Sequence, residues 1–129
     1  VNPTTGAFTT IGANSGTISD LAFAADGTLY IAISSRIDTM TAAGVFTNLT
    51  NVAGGTDGVT VDEANNRLFV ATSGSDLLYT VDRTTAVATA GPTYDFDSGF
   101  FVSGVLMNAD GSVLMSTGES TKTLTVYTP

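Results

Sequence analysis

A short hairpin turn recurs three times along this chain of 129 residues, at Asp26-Gly27, Asn65-Asn66 and Asp110-Gly111. The spacings are 39 and 45 residues, and counting from Asp110 through the C-terminus and on from Val1 to Asp26 gives 45 again. The repeat is therefore threefold, with one unit divided between the chain ends. An apolar stretch precedes each turn: Ile18 to Ala24, Gly58 to Val61 and Val102 to Met107. A second follows it: Thr28 to Ser34, Arg67 to Thr72 and Ser112 to Thr117. Asp-Gly and Asn-rich pairs tolerate the positive φ that tight hairpins need. A period of roughly 40 to 50 residues with several short strands per unit is the signature of propeller blades.

The second half of each unit makes the split visible. One unit reads Met40-Thr41-Ala42-Ala43-Gly44-Val45-Phe46, the next Val81-Asp82-Arg83-Thr84-Thr85-Ala86-Val87, and the chain start reads Val1-Asn2-Pro3-Thr4-Thr5-Gly6-Ala7-Phe8. Thr123 to Tyr127 supplies at the other end what precedes this third copy. No window sustains a 3.6-residue period, so no helix is expected. The expected fold is all-β: a β-propeller type with three four-stranded antiparallel blades, one split between the N- and C-termini. The units fall at approximately 16–54, 55–97 and 98–129 plus 1–15. In Thr28 to Ile33, alternation puts Leu29, Ile31 and Ile33 on a buried face. Arg67 to Ala71 is apolar throughout after its first residue, as expected of a strand covered on both sides. The many small residues, 14 of them Gly, suit inner strands crowded near an axis.

Composition narrows the chemistry. The charged fraction is 12%, about half the usual level, and hydroxyls take its place, with 23 Thr and 11 Ser. Threonine suits strands through its branched Cβ; an exposed, glycosylated, extracellular surface is the alternative meaning. Net charge is −8, with Arg36, Arg67, Arg83 and Lys122 the only cations. A nucleic-acid site needs clustered cations to neutralise phosphates, so no nucleic-acid partner is expected. No apolar stretch approaches the length of a membrane-spanning helix, and no membrane insertion is expected. Without Cys or His there is no thiol nucleophile, no Ser-His-Asp triad and no ordinary zinc site. The start at Val1, without Met, fits a mature exported protein or a segment of something longer.

Three blades pose a problem of closure. Propellers arrange about four to eight blades radially, and an open arc of three leaves two apolar blade faces uncovered. The expected partner is a second copy of the chain, giving a homo-oligomer: a dimeric six-bladed ring, or a filament if the rotation does not close. Further blades on a longer chain are the other solution. The assembly strands are the segment around Phe8 and Ile11 and the segment carrying Leu124 and Val126. Each is an edge that can take up a partner by strand addition.

The run Asn66-Arg67-Leu68-Phe69-Val70-Ala71-Thr72-Ser73-Gly74-Ser75-Asp76, followed by Leu78-Tyr79-Thr80-Val81-Asp82-Arg83-Thr84-Thr85, resembles the bacterial surface propeller repeats known as YVTN or NHL-like. Asp20-Leu21-Ala22-Phe23 with Asp26-Gly27-Thr28-Leu29-Tyr30 is similar to their inner hairpin. The resemblance extends over nearly the whole chain at the level of blades and implies the fold. It does not imply one activity, because these are scaffold positions; members of such groups are surface-layer proteins, binding modules, lactonases and lyases. The chain departs from them in lacking Trp and His and in having three units.

Propeller ligand sites usually lie on the face carrying the links between second and third strands and between blades. That face is expected to hold Ser35, Arg36, Asp38, Asp57, Asp76, Asp95, Asp97, Glu119 and Lys122. The loops around Ser73 to Asp76, Asp95 to Asp97 and Glu119 to Lys122 make the candidate ligand site, with Ser73, Ser75, Asp76, Asp95, Asp97, Glu119 and Lys122 its residues. Asp95-Phe96-Asp97-Ser98-Gly99 offers hard oxygens of the kind Ca²⁺ takes, but lacks the third acid and the closing Glu of a calcium loop. The plainer reading is a polar link in which Asp makes local turn bonds, and no cofactor is expected. Ser19, Asp57 and Ser103 share one repeat position, facing the axis. The resemblance to gluconolactonase-like propellers would place a metal there, held by Glu, Asn and Asp; Ser, Asp and Ser are a poor set. A streptogramin-lyase type would need a catalytic His. Asn48-Leu49-Thr50 is a glycosylation sequon. Arg36 and Arg83 could clamp a carboxylate or sugar, and Tyr30, Tyr79, Tyr94 and Tyr127 could stack on glycans, although solvated arginines and packed tyrosines are commoner. The expectation is a non-catalytic extracellular or cell-surface assembly module. The alternatives are a carbohydrate- or small-ligand-binding propeller and a metal-dependent lactonase-like enzyme.

Overall fold

The computed structural model describes residues 4–7, 9–94, 102–117 and 124–129. Its eleven strands are β1 (Ile18–Phe23), β2 (Leu29–Ile33), β3 (Arg36–Met40), β4 (Phe46–Asn51), β5 (Thr56–Asp62), β6 (Arg67–Thr72), β7 (Leu77–Asp82), β8 (Ala88–Thr93), β9 (Val102–Met107), β10 (Val113–Thr117) and β11 (Leu124–Tyr127). They form three antiparallel sheets. The first runs β1-β2-β3-β4, the second β5-β6-β7-β8 and the third β9-β10-β11. No helix occurs among the described residues. The chain is all-β and propeller-type.

The recurring turns do what their residues require. Positive φ falls at Gly27, Asn66 and Gly111. The side chains of Asp26 and Asp110 accept hydrogen bonds from the amides of Thr28 and Ser112, at 2.8 and 2.9 Å. Leu29 opposes Phe23, Leu68 opposes Val61, and Val113 opposes Met107, each the third residue after the first turn residue, although the middle hairpin holds one more residue between the paired positions. Leu29, Leu68 and Val113 are therefore equivalent, and the equivalence propagates along every strand.

The sheets stack in chain order, with inner strands β1, β5 and β9 as neighbours. Between the first and second sheets, Tyr30, Ala32 and Ile37 pack against Leu68, Val70, Tyr79 and Val81. Between the second and third, Phe69, Ala71 and Leu78 meet Val102, Val113 and Met115. The second sheet is covered on both faces, so its central strand is buried from Leu68 to Thr72. The expected one-sided burial of β2 is corrected: all five of its residues are buried. Tyr30 and Ala32 face the second sheet, and Leu29, Ile31 and Ile33 form an outer cluster with Met40 and Phe46.

Inner-strand crowding has a definite site. A Cβ on Gly58 of β5 would lie 2.4 Å from Val105 Cγ2 on β9, so only glycine permits this approach. Side chains also staple the inner strands. The Val59 amide donates to Asp20 at 3.0 Å, Val102 to Asp57 at 3.0 Å and Met107 to Thr60 at 3.1 Å.

The third sheet is the split unit. The third sheet has three described strands rather than four, and β11 is its edge. Residues 9–12 are not paired with it. Instead Gly12 sits over Phe46 and the Gly44 carbonyl of the first sheet.

Candidate functional site

At one end of the stack, the link between β6 and β7 meets the link between the first two sheets. The Ser73 amide donates to the Gly55 carbonyl at 3.0 Å, and the Ser73 hydroxyl donates to Asp57 at 3.1 Å. The Ser75 hydroxyl lies 2.8 Å from that of Thr72 and 3.3 Å from the Ala53 carbonyl. The Asp76 carbonyl accepts from the Tyr94 amide at 2.9 Å, with Asp76 itself at φ 49°. The fold thus brings the 73–76 link beside Asp57 and the link between the first two sheets, and the two serine hydroxyls are engaged in fastening these segments to one another. Asp95, Asp97, Glu119 and Lys122 of the expected ligand site lie outside the described residues, as does Phe8.

The acids show how charge is used. Burial pushes the Asp57 carboxyl above its ordinary value, against the opposing bonds from Val102 and Ser73. Asp57 is therefore committed to joining the second and third sheets. Backbone and side-chain bonds from Thr28 hold Asp26 below the usual range, bonds from Ser112 do the same for Asp110, and the amides of Thr85 and Thr84 for Asp82. These carboxylates build turns. Among the described residues no three acids gather as a metal set would.

Every described cation is paired. Arg36 contacts Asp38 at 2.8 Å, and Arg67 contacts Asp62 at 2.8 Å. Asp38 is not on an open face: it is 2% exposed, accepting from Arg36, Asn14 and Asn48. Asn48, the sequon residue, is exposed on β4, with its amide turned to Asp38 at 3.3 Å. Arg83 is a clamp at the opposite end of the stack. Its guanidinium donates to the Tyr30 hydroxyl at 3.0 Å, to Glu63 at 2.7 Å and to Asp26 at 3.2 Å, tying the first two sheets together. The tyrosines are packed: Tyr30 and Tyr79 are buried, and Tyr127 and Phe69 form a T-shaped pair with centroids 6.1 Å apart. The Tyr94 hydroxyl donates to the Thr72 carbonyl, and burial pushes its pKa up.

A cleft of about 180 Å³ opens between the second and third sheets, lined by Leu78, Pro92, Tyr94, Met115 and Tyr127, with Thr125 and Val126 completing its wall. Its lining is mostly apolar, and no catalytic pair converges on it among the described residues.

The prominent exposed features are the two outer sheet faces. On the first sheet Ile18, Leu21 and Phe23 are 49%, 54% and 66% exposed. On the third, Leu106, Leu114 and Val126 stand opposite one another across three strands, with Leu106 at 61% and Val126 at 58%. Sequence reading placed Ile11, Leu124 and Val126 at the open ends but missed Leu21, Phe23 and Leu106. Comparing repeat positions would have found them. Leu21 is equivalent to Val59 and Leu124 to Leu78, and only the central sheet covers both.

No protein-family model matches the chain, and no curated protein matches it in sequence. Solved structures match in shape. The extracellular domain of the BT4673 two-component system from B. thetaiotaomicron is 13% identical, with a TM-score of 0.64 over 88% of this chain and 15% of that one. An auxiliary nutrient-binding protein from Bacteroides thetaiotaomicron is 19% identical, with a TM-score of 0.63 over 85% and 31%. The WD40 β-propeller domain of Doa1 is 13% identical, with a TM-score of 0.61 over 88% and 38%. The likeness is one of fold, and the chain spans well under half of each of these proteins.

Proposed function

We propose that the chain is a non-catalytic, extracellular or cell-surface structural module that assembles through its two open blade faces. One observation carries the reading. Residues at the same repeat position differ in exposure according to whether a neighbouring blade covers them. Leu124 is 65% exposed where its equivalent Leu78 is 1%, and Leu21 is 54% exposed where Val59 is 1%. The open faces therefore have the chemistry of blade interfaces, and apolar patches of this kind mark association sites. The surface assignment is supported by the hydroxyl-rich, charge-poor composition and by an extracellular domain and a nutrient-binding protein among the structural neighbours.

Light scattering on a sizing column tests the reading. The chain is expected to run above its 13.1 kDa mass, and Leu21→Glu or Leu106→Glu to return it to monomer. A wild-type chain that stays monomeric at about 100 μM, where interfaces weaker than ~5.5 kcal/mol are half dissociated, refutes assembly.

A further inference from the structure

The third sheet lacks a fourth strand among the described residues, while residues 9–12 have no sheet of their own. These two facts fit together. The Ser34 amide donates to the Thr17 carbonyl as the Ser73 amide donates to that of Gly55. Thr17 is thus equivalent to Gly55, an offset of 38 residues. The same offset maps Gly6, at φ 68°, onto Gly44, at φ 80°. It maps Thr9, Thr10 and Ile11 onto Thr47, Asn48 and Leu49 of β4, the outermost strand of the first sheet. Position agrees with phase. In the first sheet, Leu49 packs into the cluster shared with the second sheet. In the same way, residues 11 and 12 lie on the outward side of the first sheet. A Cβ on Gly44 would stand 1.5 Å from the Ile11 carbonyl oxygen. The segment occupies the place of the fourth strand of a preceding blade, and no described residue on that side supplies the other three strands of such a blade.

We infer that those three strands come from the third sheet of a second copy, so that β11 of one copy pairs antiparallel with residues 9–12 of the next. The inference rests on the assembly reading and gives it a register. In the first sheet Asp38 opposes Asn48 and Thr39 opposes Thr47. Tyr127 opposes Val113 as Met40 opposes Leu29, which makes Val126 equivalent to Thr39 and Thr125 to Asp38. Val126 therefore faces Thr9 of the neighbour, and Thr125 faces Thr10. In this register Leu106, Leu114 and Val126 of one copy cover Leu21 and Phe23 of the next, as Phe69 and Leu78 meet their neighbours inside the chain.

The chain has no cysteine, so a designed disulfide reports cleanly. Directly opposed strand residues bring Cα atoms to about 4.5–5.5 Å, within disulfide range. Thr9→Cys with Val126→Cys, under mild oxidation, is expected to give a covalent species of twice the chain mass, or a ladder if the assembly is open. Thr9→Cys with Thr125→Cys, one residue out of register and on opposite faces, is expected to cross-link at least tenfold less. Both altered positions in the first pair lie at or near the surface, and circular dichroism verifies that the sheets are kept. An oligomer that forms without this cross-link overturns the strand pairing and leaves assembly standing. An intrachain disulfide at monomer mass overturns it too. Natural material that is monomeric, with a denatured mass above 13.1 kDa, overturns both by giving β11 a neighbour from its own chain.

Discussion

Phe69→Ala tests the core that joins the second and third blades. The side chain is fully buried in a cluster with Leu78, Val102, Val113 and Met115. Its ring forms a T-shaped pair with Tyr127 at 6.1 Å between centroids and carries the Arg67 guanidinium at 4.6 Å. Deleting a buried phenylalanine costs ~3–5 kcal/mol in transfer and cavity terms. The aromatic pair contributes ~0.5–1.5 kcal/mol of this, and the half-exposed arginine roughly 0.5–1. Phe69→Leu keeps most of the volume but loses both ring contacts, and is expected to cost ~1–3 kcal/mol, less than Phe69→Ala. Phe23 shares the aromatic chemistry but is 66% exposed, so Phe23→Ala is expected to change subunit stability by less than ~0.5 kcal/mol. Urea titrations followed by tyrosine fluorescence suit a chain with four Tyr and no Trp. Repeating them across protein concentrations separates subunit stability from assembly. Typical domains hold only ~5–15 kcal/mol, so Phe69→Ala should lower the midpoint strongly. A loss below ~1 kcal/mol, or equal losses for Phe69→Ala and Phe23→Ala, would refute the stacked arrangement.

Three further outcomes are expected. Arg83→Ala removes charged hydrogen bonds to Tyr30, Glu63 and Asp26 and should cost ~1–2 kcal/mol, the low end reflecting the exposed acids; an unchanged melting temperature sinks the clamp. Gly58→Ala drives a methyl into Val105 and should cost ~1–3 kcal/mol, relieved by Val105→Ala in a double-mutant cycle; strict additivity counts against the close approach. Asp57→Asn bears on pH. Burial raises the folded pKa of Asp57, so its favourable contribution is full below the unfolded value near ~3.9 and is lost as pH rises through the folded value. The neutral amide escapes that loss. The stability of Asp57→Asn relative to wild type should therefore rise between about pH 4 and neutrality, read as melting temperature against pH. A difference that is flat, or moves the other way, refutes the assignment.

What was legible in the sequence was local. Asp26-Gly27, Asn65-Asn66 and Asp110-Gly111 announce hairpins because their φ demands are local, and the order of strands within each sheet follows from short connections. The burial of β2 was half legible. Alternation identifies Leu29, Ile31 and Ile33 as apolar, but Tyr30 and Ala32 are buried by a neighbouring sheet, and a phenol with an alanine carries no periodic signal. The burial of Asp38 was not legible, because nothing in Arg36-Ile37-Asp38 reveals that Asn14 and Asn48 converge on the same carboxylate. The same holds for Arg83, whose partners Tyr30 and Asp26 lie 53 and 57 residues away. Part of the expected ligand site, Asp95, Asp97, Glu119 and Lys122, falls outside the described residues. Ser73 and Ser75 fasten adjoining links together, a role that nothing in Ser73-Gly74-Ser75 signals.

The staples between inner strands show how the outer contact should differ from the inner ones. Asp20, Asp57 and Thr60 each accept an amide from the next blade. Their positions recur on β9 as Gly104, Ser103 and Leu106. Two of the three have lost any side-chain acceptor, and neither carboxylate is kept. A contact made by the third blade is therefore left to apolar burial and strand pairing, with no charged staple. Such a contact is weaker than the internal interfaces and dissociates before the blades unfold. Apolar burial loses strength on cooling and gains it in excluded salts such as sulfate, whereas an ion-paired interface weakens as added salt screens it. The assembly is accordingly expected to tighten with sulfate and loosen in the cold, measured by light scattering at fixed protein concentration. Tightening in the cold together with release by salt would mean that charge, from groups outside these faces, holds the copies together.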